Sequence, residues 1–188
     1  MSQAGLKSSR GDVFQTLMAL EWTIDMLLDP EIEWLEIDST LSLPGLDQGP
    51  IDDIVIQYKS GRLVCCQCKK NEPGFKPWTV SSLGDELDKA GKLLRGMTTA
   101  EVRFYSRADF GSLQSLKSNS SGSPDAASFE AGLGETIQDE KNRLATKWDP
   151  NPSTQSQTLY AFLGRTAFEY RPPVEELELR VTQRLGNC

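Results

Sequence analysis

The sequence predicts an α/β domain: a mixed sheet flanked by helices. Three observations lead there. A helical spacing of apolar residues opens the chain, two β-rich runs joined by a short Gly-containing turn follow it, and helix-like and strand-like segments then alternate. At 188 residues the chain is one domain, or one domain with an appended element. A chain of this size buries roughly two thirds of its unfolded surface, so its core needs no disulfide or metal.

Ser9 to Asp12 can cap a helix whose apolar positions are Phe14, Leu17, Met18, Ile24, Leu27 and Leu28, and Pro30 closes it. Glu33 to Ser39 alternates Trp34, Leu35 and Ile37 with acids and reads as a strand. Residues 41–50 contain Pro44, Gly45, Gly49 and Pro50, a loop signature. Ile54 to Tyr58 and Leu63 to Cys68 then form an antiparallel hairpin around the turn Lys59-Ser60-Gly61. The second of these strands is apolar on both faces, so it is predicted to be central and covered by helices.

A Pro/Gly break from Pro73 to Pro77 precedes a helix from Ser81 or Ser82 to Leu94, ended by Gly96. Val102 to Tyr105 reads as a strand. Leu113 to Pro124, rich in Ser, Gly and Asn, is predicted to be a loop. Phe129 to Trp148 reads as one helix, and the pattern does not decide the type of Leu159–Leu163 and Thr166–Tyr170. Pro172-Pro173 starts a last helix, Val174 to Leu185, with Val174, Leu177, Val181 and Leu185 on one stripe.

Composition narrows the chemistry. No run approaches the ~18 apolar residues of a membrane span. Met1 to Arg10 has no apolar stretch, so no secretory signal is expected and the protein is expected to be cytoplasmic. The chain has no histidine, which removes Ser-His-Asp and Cys-His catalysis, His-metal nucleases and zinc peptidases together. Cys65, Cys66 and Cys68 crowd one strand whose alternate side chains diverge. They form neither a disulfide framework nor the second ligand pair that zinc requires, and read as small buried hydrophobes. The net charge of −7 is unusual for a domain that grips nucleic acid alone, and predicts weak substrate binding without partners.

The hairpin carries the candidate chemistry. Side chains two apart on a strand share a face, so Gln67 and Lys69 point the same way. Asp52 and Asp53 head the neighbouring strand, and one of them can face the same edge. A lysine near the end of a buried strand needs a partner or a function. Phosphodiester hydrolysis needs hard oxygen ligands for Mg²⁺ or Mn²⁺, which activates water, and a lysine beside it can orient that water or neutralise the phosphate. The aspartates can equally cap a turn. Glu36 is either a further ligand or a solvated edge carboxylate, and Gln15 either enters the site or is a satisfied helix residue.

The run Gly49-Pro50-Ile51-Asp52-Asp53-Ile54-Val55-Ile56, a turn, and Gln67-Cys68-Lys69 resembles the PD-(D/E)xK nuclease pattern. The branch it resembles is the Mrr-type one, in which glutamine replaces the second acid. Arg10-Gly11-Asp12-Val13-Phe14-Gln15 is similar to that branch's opening-helix motif. Closer still are the double-stranded DNA endonuclease domains at the front of antiphage defence proteins, the effectors of cyclic-nucleotide signalling systems and of STAND NTPases. The likeness covers about Arg10 to Tyr170.

The resemblance implies a restriction-endonuclease-like fold, with a nuclease domain over 1–170 and a helix over 171–188 leading into a following domain. It implies a metal-dependent DNA endonuclease, acting on double strands as an effector of bacterial antiviral defence. Asp53 or Asp52, with Gln67 and Glu36, would hold Mg²⁺ or Mn²⁺, Lys69 would serve the attacking water, and Gln15 would join the site. The acidic position is duplicated, with Asp53 favoured because it directly precedes the apolar run, and the neutral glutamine carbonyl implies lower metal affinity. Beside the site, Lys59, Arg62, Lys70, Lys76 and Arg107 are candidate phosphate contacts, each more ordinarily a surface charge, and Trp78, after a basic Pro/Gly-rich loop, is a candidate DNA-contacting wedge. The expected partners are DNA and further copies of the chain, assembled by a downstream sensor or NTPase module, with no membrane. Two other readings stand beside this one: a nuclease-fold module that binds or scaffolds without cutting, and an RNA- or single-strand-specific nuclease.

Overall fold

The computed structural model describes residues 3–39, 53–69, 74 and 76–186, with side chains from residue 13 onward. The predicted loop over 41–50 lies outside the described residues. The elements are α1 (Gln3–Leu28), β1 (Ile32–Ile37), β2 (Ile54–Tyr58), β3 (Leu63–Lys69), α2 (Gly84–Gly96), β4 (Ala100–Ser106), α3 (Gly111–Gly122), α4 (Ala126–Ala131), α5 (Glu135–Trp148), α6 (Gln155–Gly164), β5 (Thr166–Tyr170) and α7 (Val174–Leu185). The strands form one five-stranded mixed sheet in sequential order. β1, β2 and β3 pair antiparallel, whereas β3, β4 and β5 pair parallel.

β3 lies in the middle, with its first six residues buried. Its side chains alternate between two cores. Leu63 and Cys65 join Val55, Val102 and Phe104 under α2, α3, α5 and α6. Val64, Cys66 and Cys68 join Ile54, Ile56 and Tyr105 under α1 and α7. α7 has the predicted bounds and packs on α1 through Val174, Leu177 and Val181, while Arg184 reaches Asp25 at 2.6 Å. Leu185 leaves the expected stripe and is 49% exposed. Among the described residues no helix is long and apolar enough to cross a membrane.

Elsewhere the sequence reading is corrected. α1 begins at Gln3, upstream of Ser9, because Gln3, Ala4, Leu6 and Lys7 are helix formers and nothing before Pro30 stops the helix. α2 begins later than Ser81 or Ser82: the Ser82 hydroxyl is taken by the Thr79 amide at 2.8 Å, closing a turn before the helix. The predicted loop at 113–124 is helix α3 for most of its length. Leu113, Leu116 and Ser120 form a buried helical stripe. The polar residues bond back to the preceding turn, Asn119 Nδ2 to the Ser115 carbonyl at 2.9 Å and the Ser123 hydroxyl to the Asn119 carbonyl at 2.8 Å. Tertiary burial thus overrides a loop-like composition. The single helix expected over 129–148 is two, α4 and α5, separated by Gly132-Leu133-Gly134.

α2 and α5 meet at Gly91 and Trp148. The indole is fully buried and donates Nε1 to the Leu87 carbonyl at 2.9 Å. A Cβ at Gly91 would lie 2.7 Å from Trp148 Cδ1. Gly91→Ala is therefore expected to destabilise the fold by about 1–3 kcal/mol, even though alanine gains about 1 kcal/mol in a helix interior. Urea unfolding checks this, and a more stable variant would contradict the packing.

Candidate active site

The site forms where β3 leaves the core. The β2–β3 register pairs Ile54 with Cys66 and Val55 with Cys65. One step further it sets Asp53 opposite Gln67, both on the face covered by α2. Gln67 Nε2 donates to Asp53 Oδ2, and the Cys68 backbone amide donates to the same oxygen at 2.5 Å. The Gln67 side chain is thereby satisfied although the residue is only 9% exposed.

Asp53 is held from behind as well. Its carbonyl accepts the Asp38 amide at 3.0 Å and Gln15 Nε2 at 3.2 Å. Gln15 Nε2 also donates to Asp38 Oδ1 at 2.6 Å. Asp38 directly follows β1 with φ of 51°, a left-handed conformation that aspartate tolerates better than most residues. Gln15 thus supports the Asp53 backbone from α1, on the opposite side of the sheet from Gln67.

Lys69 is the last residue of β3 and shares the face of Gln67. Its Nζ donates to Glu86 Oε1 in the first turn of α2 and lies 5.9 Å from the centre of the Trp78 ring. Its partner in the parallel register is Ser106, which is fully buried and accepts Trp78 Nε1 at 2.8 Å and the Ala108 amide at 2.9 Å. Glu36 faces the same side from β1, paired in register with Val55 and so diagonal to Asp53, and accepts the Ser39 hydroxyl at 2.9 Å.

The structure therefore brings together Asp53, Gln67 and Lys69, with Glu36 on the neighbouring strand, Trp78 beside the lysine and Gln15 behind. Asp52 and Lys70 lie outside the described residues. Lys76 is exposed two residues before Trp78. Arg62 is not brought to the site: it stands at the other end of β3, seven residues and roughly 23 Å from Lys69. There it pairs with Glu101 at 2.7 and 2.9 Å. Lys59 is exposed in the same distant turn. Arg107, read as a surface charge, is 4% exposed with its guanidinium 5.6 Å from the Phe14 ring, because the chain turns inward after β4. Sequence reasoning missed Glu86, Ser106 and Asp38. An acid in a helix's first turn signals only the helix dipole, and nothing in the sequence marks which face it takes.

The donor set suits a hard cation. Asp53 supplies a carboxylate, and a half-turn of the Gln67 amide exchanges its NH₂ for its oxygen. Mg²⁺ characteristically takes one or two protein carboxylates and leaves the rest to water and phosphate. Among the described residues no group of three or more His, Cys, Asp or Glu side chains could hold a metal ion. Cys65, Cys66 and Cys68 divide between the two cores and do not converge. Comparison with protein-family models, with curated proteins and with solved structures finds no match to this chain.

Burial pushes the Cys65 thiol from its ordinary value near 9 up to about 12, and raises Cys66 further. Between pH 9 and about 12 the unfolded chain loses these protons while the folded chain keeps them. Stability therefore falls as pH rises, by up to about 1.4 kcal/mol per pH unit for each thiol. Denaturant unfolding at stepped pH checks this, and a Cys65→Ala, Cys66→Ala chain should show a shallower fall above pH 9.

Proposed function

We propose that this chain is a metal-dependent DNA endonuclease of restriction-endonuclease-like fold, acting on double strands. The observation that supports it best is the meeting of Asp53, Gln67 and Lys69 on one face at the carboxyl end of the central strand. Asp53 and Gln67 would hold Mg²⁺ or Mn²⁺, with Glu36 as a further oxygen donor from β1 and Asp52 next in sequence. The cation would activate water and offset negative charge on the phosphate.

The chain's own groups have distinct tasks on this reading. The Asp53 carboxylate is fixed by the Cys68 amide and by the backbone ties to Asp38 and Gln15. Lys69 presents an ammonium that can hydrogen-bond a water or a phosphoryl oxygen as charge develops there. Trp78 walls one side of that ammonium, and Lys76 is an exposed candidate for a phosphate contact. The role as an antiviral effector, assembled by a downstream sensor module and working in the cytoplasm, rests on the likeness of Arg10–Gln15, Asp52-Asp53 and Gln67–Lys69 to those endonuclease domains.

One observation favours a second reading, a nuclease-like module that binds or scaffolds: the amide at position 67 supplies no charge to a cation. A metal that binds the native state raises its melting temperature, which separates the two.

Plasmid cleavage with Mg²⁺ or Mn²⁺ is expected, with EDTA abolishing it. Lys69→Ala and Asp53→Asn are each expected to lower it by at least about 10²-fold while leaving the fold intact. Wild-type cleavage by Lys69→Ala would defeat the assignment. RNA and single-stranded substrates run in parallel test the polymer. Efficient cutting by a strictly monomeric form would remove the proposed dependence on assembly.

A further inference from the structure

We propose that Glu86 is the positioning residue for Lys69, a role that rests on the nuclease reading of the same site. Lys69 ends on a flexible four-carbon stem, so a lysine without an anchor spreads its charge over many places. Here the side chain is enclosed, 15% exposed against 26% for Glu86. The surface pair Arg180–Glu176, by contrast, is 51% and 50% exposed. Exposed pairs contribute little and order little. An enclosed one fixes where the charge sits.

Three elements converge to enclose it. β3 delivers Lys69 opposite Ser106 of β4. Ser106 holds the Trp78 indole by its Nε1, and the Trp78 backbone amide donates to the Asp109 carbonyl at 2.8 Å, so the residue is held once by its ring and once by its main chain. α2 delivers Glu86, and its rotation is fixed by Leu83, Leu87 and Ala90, all fully buried. A carboxylate in a helix's first turn is also favoured by the helix dipole.

Among the described residues Glu86 is the hydrogen-bond acceptor of Lys69. An ammonium has three N–H groups. Glu86 takes one, the Trp78 ring flanks the group, and the remaining two can meet a water or a phosphoryl oxygen. The acid therefore aims the lysine without exhausting it, and its loss is expected to slow the reaction.

The test uses the full chain with Glu86→Ala, Glu86→Gln (which keeps the shape of the α2 residue) and Glu86→Asp. Amine-reactive labelling read by mass spectrometry is expected to modify Lys69 at least about tenfold faster in Glu86→Ala and Glu86→Gln, with Lys117 and Lys147 unchanged. In cleavage assays kcat is expected to fall about tenfold to a hundredfold, with KM for DNA and the Mn²⁺ midpoint unchanged, and with partial recovery in Glu86→Asp. An unchanged or raised kcat in Glu86→Gln, or Lys69 labelling at the wild-type rate, would overturn the proposal. A wild-type chain inert with both metals on every substrate would instead overturn the nuclease reading, and the labelling ratio would still decide whether Glu86 holds Lys69.

Discussion

The burial of β3 on both faces is the constraint from which the rest of the structure follows. A strand with Leu63, Val64, Cys65 and Cys66 in succession cannot leave either face in water. Both of its backbone edges need partners as well, because unpaired amides and carbonyls inside a protein are costly. β2 supplies one edge through a tight hairpin. The other edge is taken by a parallel strand, which requires a crossover, and α2 is that crossover. Two cores result, and the helices divide between them.

The same constraint dictates where polar chemistry can stand. Along most of β3 a polar side chain would be buried without water, so polar residues gather at its carboxyl end and each finds a partner there. Gln67 is bonded to Asp53, Lys69 to Glu86, and Ser106 to Trp78. Each pair joins two different elements: β3 to the head of β2, β3 to α2, and β4 to the segment before α2. The cluster is thus a junction of the fold and a chemical group at once. The opposite end of β3 carries a different kind of pair, Arg62 with Glu101, which is more than a third exposed on the arginine side.

The parts of this arrangement that were legible in the sequence are those set by local rules. Period-two alternation placed Gln67 with Lys69, and unbroken apolarity placed β3 at the centre. Pro172-Pro173 fixed the start of α7. What escaped depends on distant contacts. The serines of α3 say loop until Leu113 and Leu116 are buried. Gly132 and Gly134 break what the apolar spacing joined. β5 is too short to declare its period, and its identity comes from pairing with β4. Glu86 lies 17 residues beyond Lys69, and only the packing of α2 makes them neighbours. Arg107 looks like a surface cation until its turn tucks it against Phe14.

Electrostatics carries the nuclease reading one step further. DNA is held mainly through its phosphates, and this chain has a net charge of −7. At physiological ionic strength attraction fades over about 8 Å, so the charges around the site matter more than the total. Among the described residues those charges are mixed rather than basic: Lys76 is exposed, but Lys69 is matched by Glu86, Asp53 and Glu36 are acids, Arg107 is inside, and Arg62 is at the far end of the strand. A single copy therefore offers phosphate few unspent cations near the end of β3. Affinity then has to come from several weak sites engaged together, where each bound copy raises the effective concentration of the next. On this reading the acidity of the chain is itself a reason for cleavage to be coupled to assembly: a lone domain would hold DNA briefly and cut it slowly, and an array would hold it longer.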